Sequence, residues 1–506
     1  MLRNPLRWAE LLTPLLAFGV RLIPGPRTID DAYITFRYAR NLLDGHGLVY
    51  NPGQAVLGTT TPLFAILLSA LGIPIGGAEA PFPVIALIVS AAADAATAYL
   101  LIRIGGRLGS NAAGVATALI WAVHPWSVTF AIGGMETSLF VALLSATFYL
   151  HLSRQPIMAA GIGGLALLTR PDALIFLAPI FVDRVLVTLR KEENTRKLGW
   201  QEAAAFGAPV GLWIVFSTLA YDSPIPQSLF AKAVAYELPA SAGLVRLLQH
   251  YATPFIWHEI LGSAWIAVGL ILYPTLFALG SLLAIRTSAR AWPLFVYPWI
   301  YLLAYSIANP LLFRWYLVPP MPLYLLGIFL GGARISRDLR HWSPLALLAS
   351  LGLIGALSAW TLRPDHGPTR PAPEMAFIKL ELLYEQAAQL LSDRMQPGDV
   401  LAAADIGTLG YYAPGKMLDL LGLVSPVATE YYPLPASAYA INYAVPADLV
   451  ADLSPEFIVI LEVYGRNTLL EDPRFRMNYE LQDVLSTDIY GSDGLLIFSR
   501  SKSESG

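Results

Sequence analysis

The stretch TIDDAYITFRYARNLLDGHGLVYNPG, from Thr28 to Gly53, combines charged and aromatic residues between two strongly apolar segments. Asp30 and Asp31 stand side by side near its start, and Arg37 and Arg40 follow, three residues apart, on one face of a helix. An ionisable group inside a bilayer is costly, so a membrane protein keeps such a segment outside it or facing a cavity. The stretch therefore predicts an external loop that contains a helix and follows a first membrane-spanning segment.

Composition assigns the chain to the class of polytopic all-α membrane proteins. Of its 506 residues, 56% are hydrophobic and only 14% are charged, and the mean hydropathy is +0.55. The chain contains no cysteine, which excludes disulfide bonds, thiolate metal sites and a cysteine nucleophile. Composition therefore excludes a soluble globular protein over this length.

Apolar runs near the length of a membrane-spanning helix predict about eleven spans. The first one has no clear cleavage site and is interpreted as an uncleaved N-terminal span. Residues 62–75 are apolar but shorter, and they predict a re-entrant or interfacial loop helix. The predicted spans are 8–24, 80–102, 111–130, 137–152, 157–169, 173–189, 203–220, 259–285, 291–308, 315–333 and 343–361.

The distribution of basic residues predicts the orientation of these spans. With the N-terminus in the cytoplasm, most of the Lys and Arg before residue 362 fall at cytoplasmic helix ends, among them Arg154, Arg190 and Arg290. The chain is then a multi-pass protein of a bacterial-type plasma membrane. Its C-terminal part lies on the extracytoplasmic side.

The C-terminal part differs in character from the rest of the chain. Residues 362–506 are strongly acidic, whereas residues 1–361 have a basic excess, and the proline-rich linker RPDHGPTRPAPE marks the boundary. A helical pattern in EMAFIKLELLYEQAAQLLSDRM precedes the strand-like runs DVLAAAD, FIVILEV and GLLIFSR. The sequence thus predicts a transmembrane domain over 1–361 and a small extracytoplasmic α/β domain over 362–506.

With this topology, polar and charged residues from five separate stretches collect at the outer face of the membrane. The stretches are TIDDAY (Asp30, Asp31), GGMETSLF (Glu136), LTRPDAL (Arg170, Asp172), YDSPIPQSLFAKAV (Asp222, Gln227, Lys232) and LLFRWYLVP (Arg314). A charge near the bilayer centre costs roughly 2.5–3.5 kcal/mol, so such groups pair, line a cavity or act. Together they predict a cavity that is open to the outside.

The mixture of signs indicates the chemistry of this cavity. Arg170, Lys232 and Arg314 are suited to bind a phosphate, arginine through its planar fork and lysine as a point charge. A carboxylate within hydrogen-bond reach of a sugar hydroxyl is suited to remove its proton. Both properties fit a sugar linked to a lipid phosphate, with the lipid tail in the bilayer and the acceptor arriving from outside.

The quoted loop, followed by TTTPLF, resembles the first external loop of GT-C glycosyltransferases. The resemblance is nearest to the mycobacterial terminal arabinofuranosyltransferase group, and more distant to lipid A aminoarabinose transferases and protein O-mannosyltransferases. Five further blocks resemble that group in the same order, so the resemblance covers most of the chain. The blocks are GGMETSLF, LTRPDAL, SPIPQSLFAK, RWYLVP and DIGTLGYYAPGKMLDLLGLVSP.

This resemblance implies an inverting glycosyltransferase that takes a sugar, such as arabinofuranose or another pentose or hexose, from a polyprenyl-phosphate donor. The acceptor is a cell-envelope glycan, lipid or protein on the outer face of the membrane. The resemblance places the catalytic base on Asp30, with Asp31 beside it, and a second acidic residue at the acceptor side on Glu136. The chain departs from the group's pattern after NPG, where VLGTTTPLF replaces a stretch with an acidic residue and a tryptophan.

Each candidate also has a simpler structural interpretation. Asp30 or Asp31 is suited to cap the helix that follows, and Glu136 to stabilise a helix N-terminus. Arg170 stands next to Asp172, which makes a local salt bridge the alternative to phosphate binding. The aromatic residues beside Arg314 are typical of an interfacial belt, and an external lysine such as Lys232 is usually only solvated.

The candidates for substrate contact are Tyr33, Arg37, His46, Gln227 and Tyr316. For Arg37 the alternative is an interfacial helix anchored by its arginines and aromatic residues. In the C-terminal part, the segment DIGTLGYYAPGKMLDLLGL has an equally simple interpretation as strand, turn and strand in the core of the α/β domain.

No cofactor is predicted, and no histidine has metal-ligand spacing, although the carboxylates leave a divalent cation open. Nucleic-acid binding has no support, because the predicted soluble domain is acidic. The expected partners are the lipid-linked donor, a glycan or glycolipid acceptor and the bilayer. The alternative function is a lipid-linked sugar transporter or flippase that uses the same arginines without chemistry.

Overall fold

The computed structural model describes residues 5–190, 199–338, 343–362 and 369–501. Part of the predicted linker, residues 363–368, lies outside the described residues. Helices dominate the first half. These are α1 (Pro5–Leu22), α2 (Asp30–Leu43), α3 (Pro62–Gly72), α4 (Phe82–Arg107), α5 (Asn111–Val123), α6 (Pro125–Ile132), α7 (Thr137–Leu152), α8 (Pro156–Thr169), α9 (Ala173–Leu189), α10 (Trp200–Tyr221) and α11 (Gln227–Ala235).

Further helices follow, with strands confined to the C-terminal part. The helices are α12 (Ala242–Ala252), α13 (His258–Leu261), α14 (Ala264–Thr287), α15 (Trp292–Ala308), α16 (Met321–Asp338), α17 (Pro344–Ser358), α18 (Lys379–Ser392), α19 (Gly407–Tyr412), α20 (Ala447–Leu453), α21 (Glu462–Gly465) and α22 (Pro473–Asn478). The strands are β1 (Trp360–Thr361), β2 (Ala372–Pro373), β3 (Val400–Ala403), β4 (Lys416–Asp419), β5 (Phe457–Leu461), β6 (Tyr479–Leu485) and β7 (Leu495–Arg500).

Several of the described helices are long and apolar enough to cross a membrane. They are Phe82–Arg107, Trp200–Tyr221, Ala264–Thr287, Ala289–Ala308 and Arg314–Ser336. The helices α5 and α6 meet at a bend of 48°, and if this pair forms one span the described residues contain six. Each segment predicted to span contains a helix, but several of these helices are shorter than a full crossing. The structure confirms a multi-pass helical membrane protein, whereas the count of eleven spans and the orientation stay predictions.

The chain folds as two compact units. Unit 1 comprises Met1–Arg27, Pro83–Trp213 and Ala240–Phe377, and unit 2 comprises Thr28–Phe82, Ile214–Pro239 and Ile378–Gly506. Two segments predicted to be external loops thus belong to the same unit as the C-terminal part. The predicted domain boundary between residues 361 and 362 is not tested by this division and stays a prediction.

Glycines allow the helices of unit 1 to approach closely. A Cβ added to Gly280 of α14 would lie 2.0 Å from the carbonyl oxygen of Gly327 in α16, and one on Gly331 would lie 2.1 Å from that of Leu276. Unit 1 also contains a fully buried ion pair, in which Arg21 Nε lies 2.9 Å from Asp94 Oδ2. Removing either charge would leave the other unpaired away from water, which makes this pair a structural requirement.

The sheet of unit 2 has the order β4-β3-β5-β7-β6. Strand β3 pairs in parallel with β4 and β5, and β7 pairs antiparallel with β5 and β6. Strand β5 is buried along its whole length, as its continuous apolar run FIVIL requires. The predicted small α/β domain with strands near 400, 457 and 495 is therefore confirmed.

One local prediction is wrong. The sequence predicts strand, turn and strand for DIGTLGYYAPGKMLDLLGL; the second strand is present as β4, but Gly407–Tyr412 forms the short helix α19 after β3. Its N-terminal N–H groups find acceptors far away in the sequence, on a carboxylate of the first external loop. Strand propensity of the two tyrosines is therefore overridden by a tertiary contact.

Candidate active site

The carboxylate of Asp30 in unit 2 caps the N-terminus of α19. Its Oδ2 accepts a hydrogen bond from the backbone N–H of Gly407 at 2.9 Å, and its Oδ1 accepts one from Thr408 at 2.7 Å. A carboxylate at this place compensates two N–H groups that have no partner within the helix and interacts favourably with the helix dipole. Asp30 does not cap the helix that follows it, as the structural alternative expected, because the N-terminus of α2 has no side-chain cap; it caps a helix 377 residues away instead.

Two glycines of α19 make this contact possible. A Cβ on Gly407 would lie 1.8 Å from the backbone oxygen of Asp30, and one on Gly410 would lie 1.7 Å from the hydroxyl oxygen of Tyr50. Because these glycines are three residues apart, they lie on the same face of the helix. The face that lacks side chains is the face that packs against the external loop.

Replacing Gly407 by Ala is therefore expected to destabilise unit 2 by about 1–3 kcal/mol, because the added methyl group displaces the Asp30 backbone. Thermal unfolding of the purified protein in detergent measures the effect as a lower midpoint. Gly398→Ala is the matched control, since a Cβ there meets nothing within 4 Å. Equal midpoints for the two variants would contradict this account of the glycine.

Further carboxyl groups surround Asp30. Its backbone N–H donates to Glu381 Oε1 at 3.2 Å, and Tyr384 donates its hydroxyl to Asp405 Oδ2. Burial raises the pKa of Glu381 to about 8, with a further contribution from the charge of Asp30. Burial also raises the pKa values of Asp30 and Asp405, and the negative charge of Asp405 adds to the effect on Asp30. This cluster of Asp30, Glu381 and Asp405, named the acid cluster here, holds protons that exposed carboxyl groups would lose.

Asp31 has different surroundings. Burial raises its pKa, while the positive charge of Lys232 on α11 acts in the opposite direction. In the part of the chain that the structure describes, its carboxylate accepts no hydrogen bond from a protein group, and its side chain is partly exposed. Burial raises the pKa of Tyr236, and the charge of Asp31 adds to the effect, which together with the action of Lys232 indicates that α11 lies beside this carboxylate. Asp31 therefore keeps a free carboxylate next to a cation.

Two side chains predicted to contact the substrate, those of Arg37 and Tyr33, are buried and contact other residues of the protein. Arg37 is 4% exposed and donates to the backbone carbonyls of Tyr50 and Gly410 and to Asn51 Oδ1. Tyr33 is 8% exposed and packs against Tyr411 and Tyr412, at ring-centroid distances of 5.2 and 5.5 Å. These contacts join α2 to the segment around α19. They disfavour a direct role in substrate binding, which stays a prediction.

In unit 1, Arg170 is engaged by two carboxylates. Its guanidinium lies 2.9 Å from Asp172 Oδ1 through Nε and 3.3 Å from Glu136 Oε1 through Nη1. Tyr305 donates to Asp172 Oδ2 at 3.1 Å, and the guanidinium stacks 4.7 Å from the ring centre of Tyr316. The local salt bridge is thus formed. Glu136 and Tyr316, predicted as catalytic and substrate-binding, belong to the same network.

Replacing Arg170 by Met is expected to lower the free energy of unfolding by about 3–5 kcal/mol, because two buried carboxylates lose their counterion. Thermal unfolding in detergent checks this, with Arg103→Met as the control, since Arg103 pairs with Glu10 at 3.6 Å and both side chains are partly exposed to solvent. An unchanged midpoint combined with weaker donor binding would instead restore the phosphate-binding role predicted from the sequence.

Arg314 lies in a short 3-10 helix, Arg314–Leu317, and its side chain is exposed. Beside it stands Arg246 of α12, whose side chain reaches solvent; partial desolvation and then the positive charge of Arg314 lower its pKa. One turn further along α12, His250 is buried and packs edge-on against the ring of Trp126, at a centroid distance of 4.9 Å. Neither arginine forms an ion pair with a carboxylate among the described residues, so two like charges face each other. This arrangement suits a phosphate.

The remaining candidates have fewer contacts. His46 is exposed in a turn, with its backbone N–H bonded to the carbonyl of Asn41 at 3.0 Å. Gln227 begins α11, and its backbone N–H donates to Leu57 at 2.7 Å. Over the described ranges, no three His, Asp or Glu side chains are arranged to hold a metal ion. The expected absence of a cofactor, with a divalent cation left open, stays a prediction.

The sequence analysis missed Glu381, Asp405 and Arg246. Asp405 opens the block DIGTLGYY, so its position at the end of a strand was a usable signal. Arg246 is the only arginine of the amphipathic helix AGLVRLLQHYA, and this helix contains no acidic residue with which it could pair. Glu381 carried no such signal, since helix α18 contains a second glutamate, Glu385.

Comparison with known structures identifies the fold. ArnT from Cupriavidus metallidurans matches with a TM-score of 0.57 at 12% identity, covering 97% of each chain. The oligosaccharyltransferase AglB from Archaeoglobus fulgidus, in complex with an inhibitory peptide and a dolichol-phosphate, matches with a TM-score of 0.55 at 10% identity, over 99% of this chain and 74% of the other. Both are GT-C glycosyltransferases, and the chain has the GT-C fold predicted from the ordered sequence blocks.

Sequence comparison adds little beyond the fold. Residues 375–498 match a family described as a domain of unknown function (DUF8728). No curated protein sequence matches the chain significantly. The assignment to the arabinofuranosyltransferase group therefore stays a prediction.

Proposed function

We propose that this protein transfers a sugar from a polyprenyl-phosphate donor to a cell-envelope acceptor on the outer face of the membrane, with inversion at the anomeric carbon. The GT-C fold and the helices able to cross a membrane support a membrane glycosyltransferase. Arabinofuranose is the proposed sugar on the resemblance of the sequence blocks. The dolichol-phosphate bound to the oligosaccharyltransferase of the same fold supports a lipid phosphate as the carrier.

The single observation that carries the proposal is the state of Asp31. A general base needs a carboxylate that is not already occupied and whose pKa lies above its ordinary value. Asp31 meets both requirements, whereas both oxygens of Asp30 accept backbone hydrogen bonds. We therefore assign the base to Asp31 and a positioning role to Asp30, within the pair that the sequence indicates. The positive charge of Lys232 opposes the effect of burial on the pKa of Asp31 and so favours the ionised form that a base requires.

In the proposed reaction, Asp31 removes a proton from an acceptor hydroxyl as its oxygen attacks the anomeric carbon of the donor sugar. The bond from that carbon to the phosphate oxygen breaks, and the lipid phosphate leaves with the electron pair. Arg246 and Arg314 are the proposed ligands of this phosphate, because charge-assisted hydrogen bonds favour the anion that develops. Phosphate is already a good leaving group, so no acid catalyst is required.

Mass spectrometry of the cell-envelope glycan, with and without this protein, tests the proposal at the level of the product. We expect one sugar residue to be missing, and a plasmid carrying the natural sequence to restore it. An Asp31→Asn copy should fail to restore it. A missing sugar with lipid-linked sugar accumulating on the inner leaflet would favour a flippase, and an unchanged glycan would contradict the proposal.

The acid cluster predicts how stability depends on pH. Because the folded pKa of Glu381 is raised to about 8, the folded state binds more protons than the unfolded state above the ordinary pKa of glutamate. Stability is therefore expected to fall as the pH rises from about 5 to about 8. Thermal midpoints across this range measure the slope. Glu381→Gln should flatten it, the exposed control Glu480→Gln should not, and an equally steep slope in Glu381→Gln would contradict the account.

A further inference from the structure

A second group of charged residues surrounds an open cavity of about 520 Å³ in unit 1. Its walls come from the C-terminal ends of α7 and α9 and from the turn that joins α14 to α15. Arg154, Arg190 and Arg290 line the cavity together with Asp183 and Trp292. The three arginines belong to the set whose position predicts the cytoplasmic side. None of the residues assigned to sugar transfer lines this cavity.

The carboxylate of Asp183 bonds to neighbouring side chains in one wall of the cavity, and its negative charge compensates the positive charge of Arg290. Trp292 Nε1 donates to its Oδ1 at 2.6 Å, and His151 Nε2 lies 3.3 Å from its Oδ2. The charge of Arg290, a residue only 9% exposed, also acts on this carboxylate. The buried part of the cavity is thus close to neutral, and its remaining charge comes from the other two arginines.

Arg154 and Arg190 have exposed side chains, and within the described ranges neither forms an ion pair with a carboxylate. Arg154 has φ = 58°, a left-handed conformation just after α7 where glycine is favoured. A long cationic side chain in place of glycine is a reason to look for a ligand of that side chain. Among the residues that the structure describes, the two positive charges at the mouth of the cavity have no carboxylate ion-pair partner.

Basic pockets between the ends of membrane helices bind the headgroups of anionic lipids, and tryptophan favours the same interfacial depth. We propose that this cavity binds the phosphate of an anionic phospholipid through Arg154 and Arg190. Leu186, which also lines the cavity, offers an apolar surface to the start of an acyl chain. The site is separate from the proposed sugar transfer, and its occupancy stabilises the helix ends that form it.

Native mass spectrometry of the full chain in detergent tests this proposal, with phosphatidylglycerol and phosphatidylcholine as the two probes. Both lipids carry a phosphodiester, but only phosphatidylglycerol has a net negative charge. We expect phosphatidylglycerol to bind at least about tenfold more tightly, and the double variant Arg154→Gln, Arg190→Gln to lose this preference. Arg286→Gln, an exposed arginine at the end of α14 that does not line the cavity, is the matched control and should keep it.

Three results would overturn the proposal. Equal binding of the two lipids would remove the role of charge, and an unchanged preference in the double variant would place the lipid elsewhere. Displacement of the lipid by an equal concentration of inorganic phosphate would identify a site for free phosphate. If the double variant has a lowered thermal midpoint, the two single variants replace it, because each leaves one arginine in place. Their preference for phosphatidylglycerol over phosphatidylcholine is then compared with that of the natural protein, and an unchanged preference in both would overturn the proposal.

Discussion

The Asp31→Asn variant is expected to lose about 10²–10⁴-fold in the kcat of sugar transfer, the usual contribution of a general base. The amide is nearly the same size as the carboxylate but cannot accept the hydroxyl proton. Because the carboxylate accepts no hydrogen bond from a described protein group, the substitution should leave the thermal midpoint close to that of the natural protein. Donor binding, measured with a labelled polyprenyl-phosphate sugar, should also be retained.

Asp30→Asn is the matched control for this substitution. An amide offers only one acceptor oxygen to the two N–H groups of Gly407 and Thr408, so the cap on α19 is weakened. We expect a lower thermal midpoint, and activity that falls in parallel with the folded fraction. If Asp31→Asn were fully active and Asp30→Asn were stable but inactive, the general base would be Asp30, as the family resemblance implies.

The second large effect is expected at the arginine pair. Arg314→Gln should raise the KM for the lipid-linked donor by about tenfold to a hundredfold, since a charge-assisted hydrogen bond contributes about 1.5–3 kcal/mol. Arg246→Gln should act in the same direction. The folded protein should gain slightly in stability from either substitution, because two like charges no longer face each other. Initial-rate kinetics over a range of donor concentrations measures the change.

The control for the arginine pair is Arg286→Gln, which removes an exposed arginine of unit 1 that neither proposal uses. Raising the salt concentration should weaken donor binding to the natural protein more than to the double variant Arg246→Gln, Arg314→Gln. An unchanged KM in the double variant would remove both residues from the donor site. Arg170 would then have to be reconsidered, despite its two carboxylate partners.

Much of the fold was predictable because it is encoded locally. The helix that begins at Asp30 and the strand Phe457–Leu461 follow from hydrophobic periodicity and from a continuous apolar run. The span count was not predictable to the same degree, since helices such as Pro156–Thr169 are apolar but shorter than a bilayer requires. Length and composition alone do not distinguish a short crossing from a helix that ends within the membrane.

The candidate site was predictable in its residue types but not in their partners. The sequence places Asp30 and Asp31 side by side, yet only the fold shows that Asp30 meets Gly407 and Thr408 while Asp31 lies near Lys232. These are long-range contacts, and no local pattern specifies them. The expectation that the carboxylates and the arginines serve one shared cavity stays a prediction.

Arg170 and Arg246 also show that the sequence does not reveal which arginine has a carboxylate partner in the folded chain. Arg170 looked like a phosphate ligand because it stands in a polar turn, but its partner Glu136 lies 34 residues earlier and neutralises it. Arg246 looked like an ordinary helix residue because nothing in its own segment indicated Arg314. Whether an arginine is paired is a property of the folded chain, and it decides which arginine is available to a ligand.

The most direct test of the central claim is a transfer assay with purified protein, a labelled polyprenyl-phosphate sugar and candidate envelope acceptors in detergent. The account predicts that the label moves to the acceptor with inverted anomeric configuration, that free polyprenyl phosphate is released in equal amount, and that Asp31→Asn stops both while still binding the donor. Movement of intact donor across liposomes, with no transfer to any acceptor and no effect of Asp31→Asn, would contradict it.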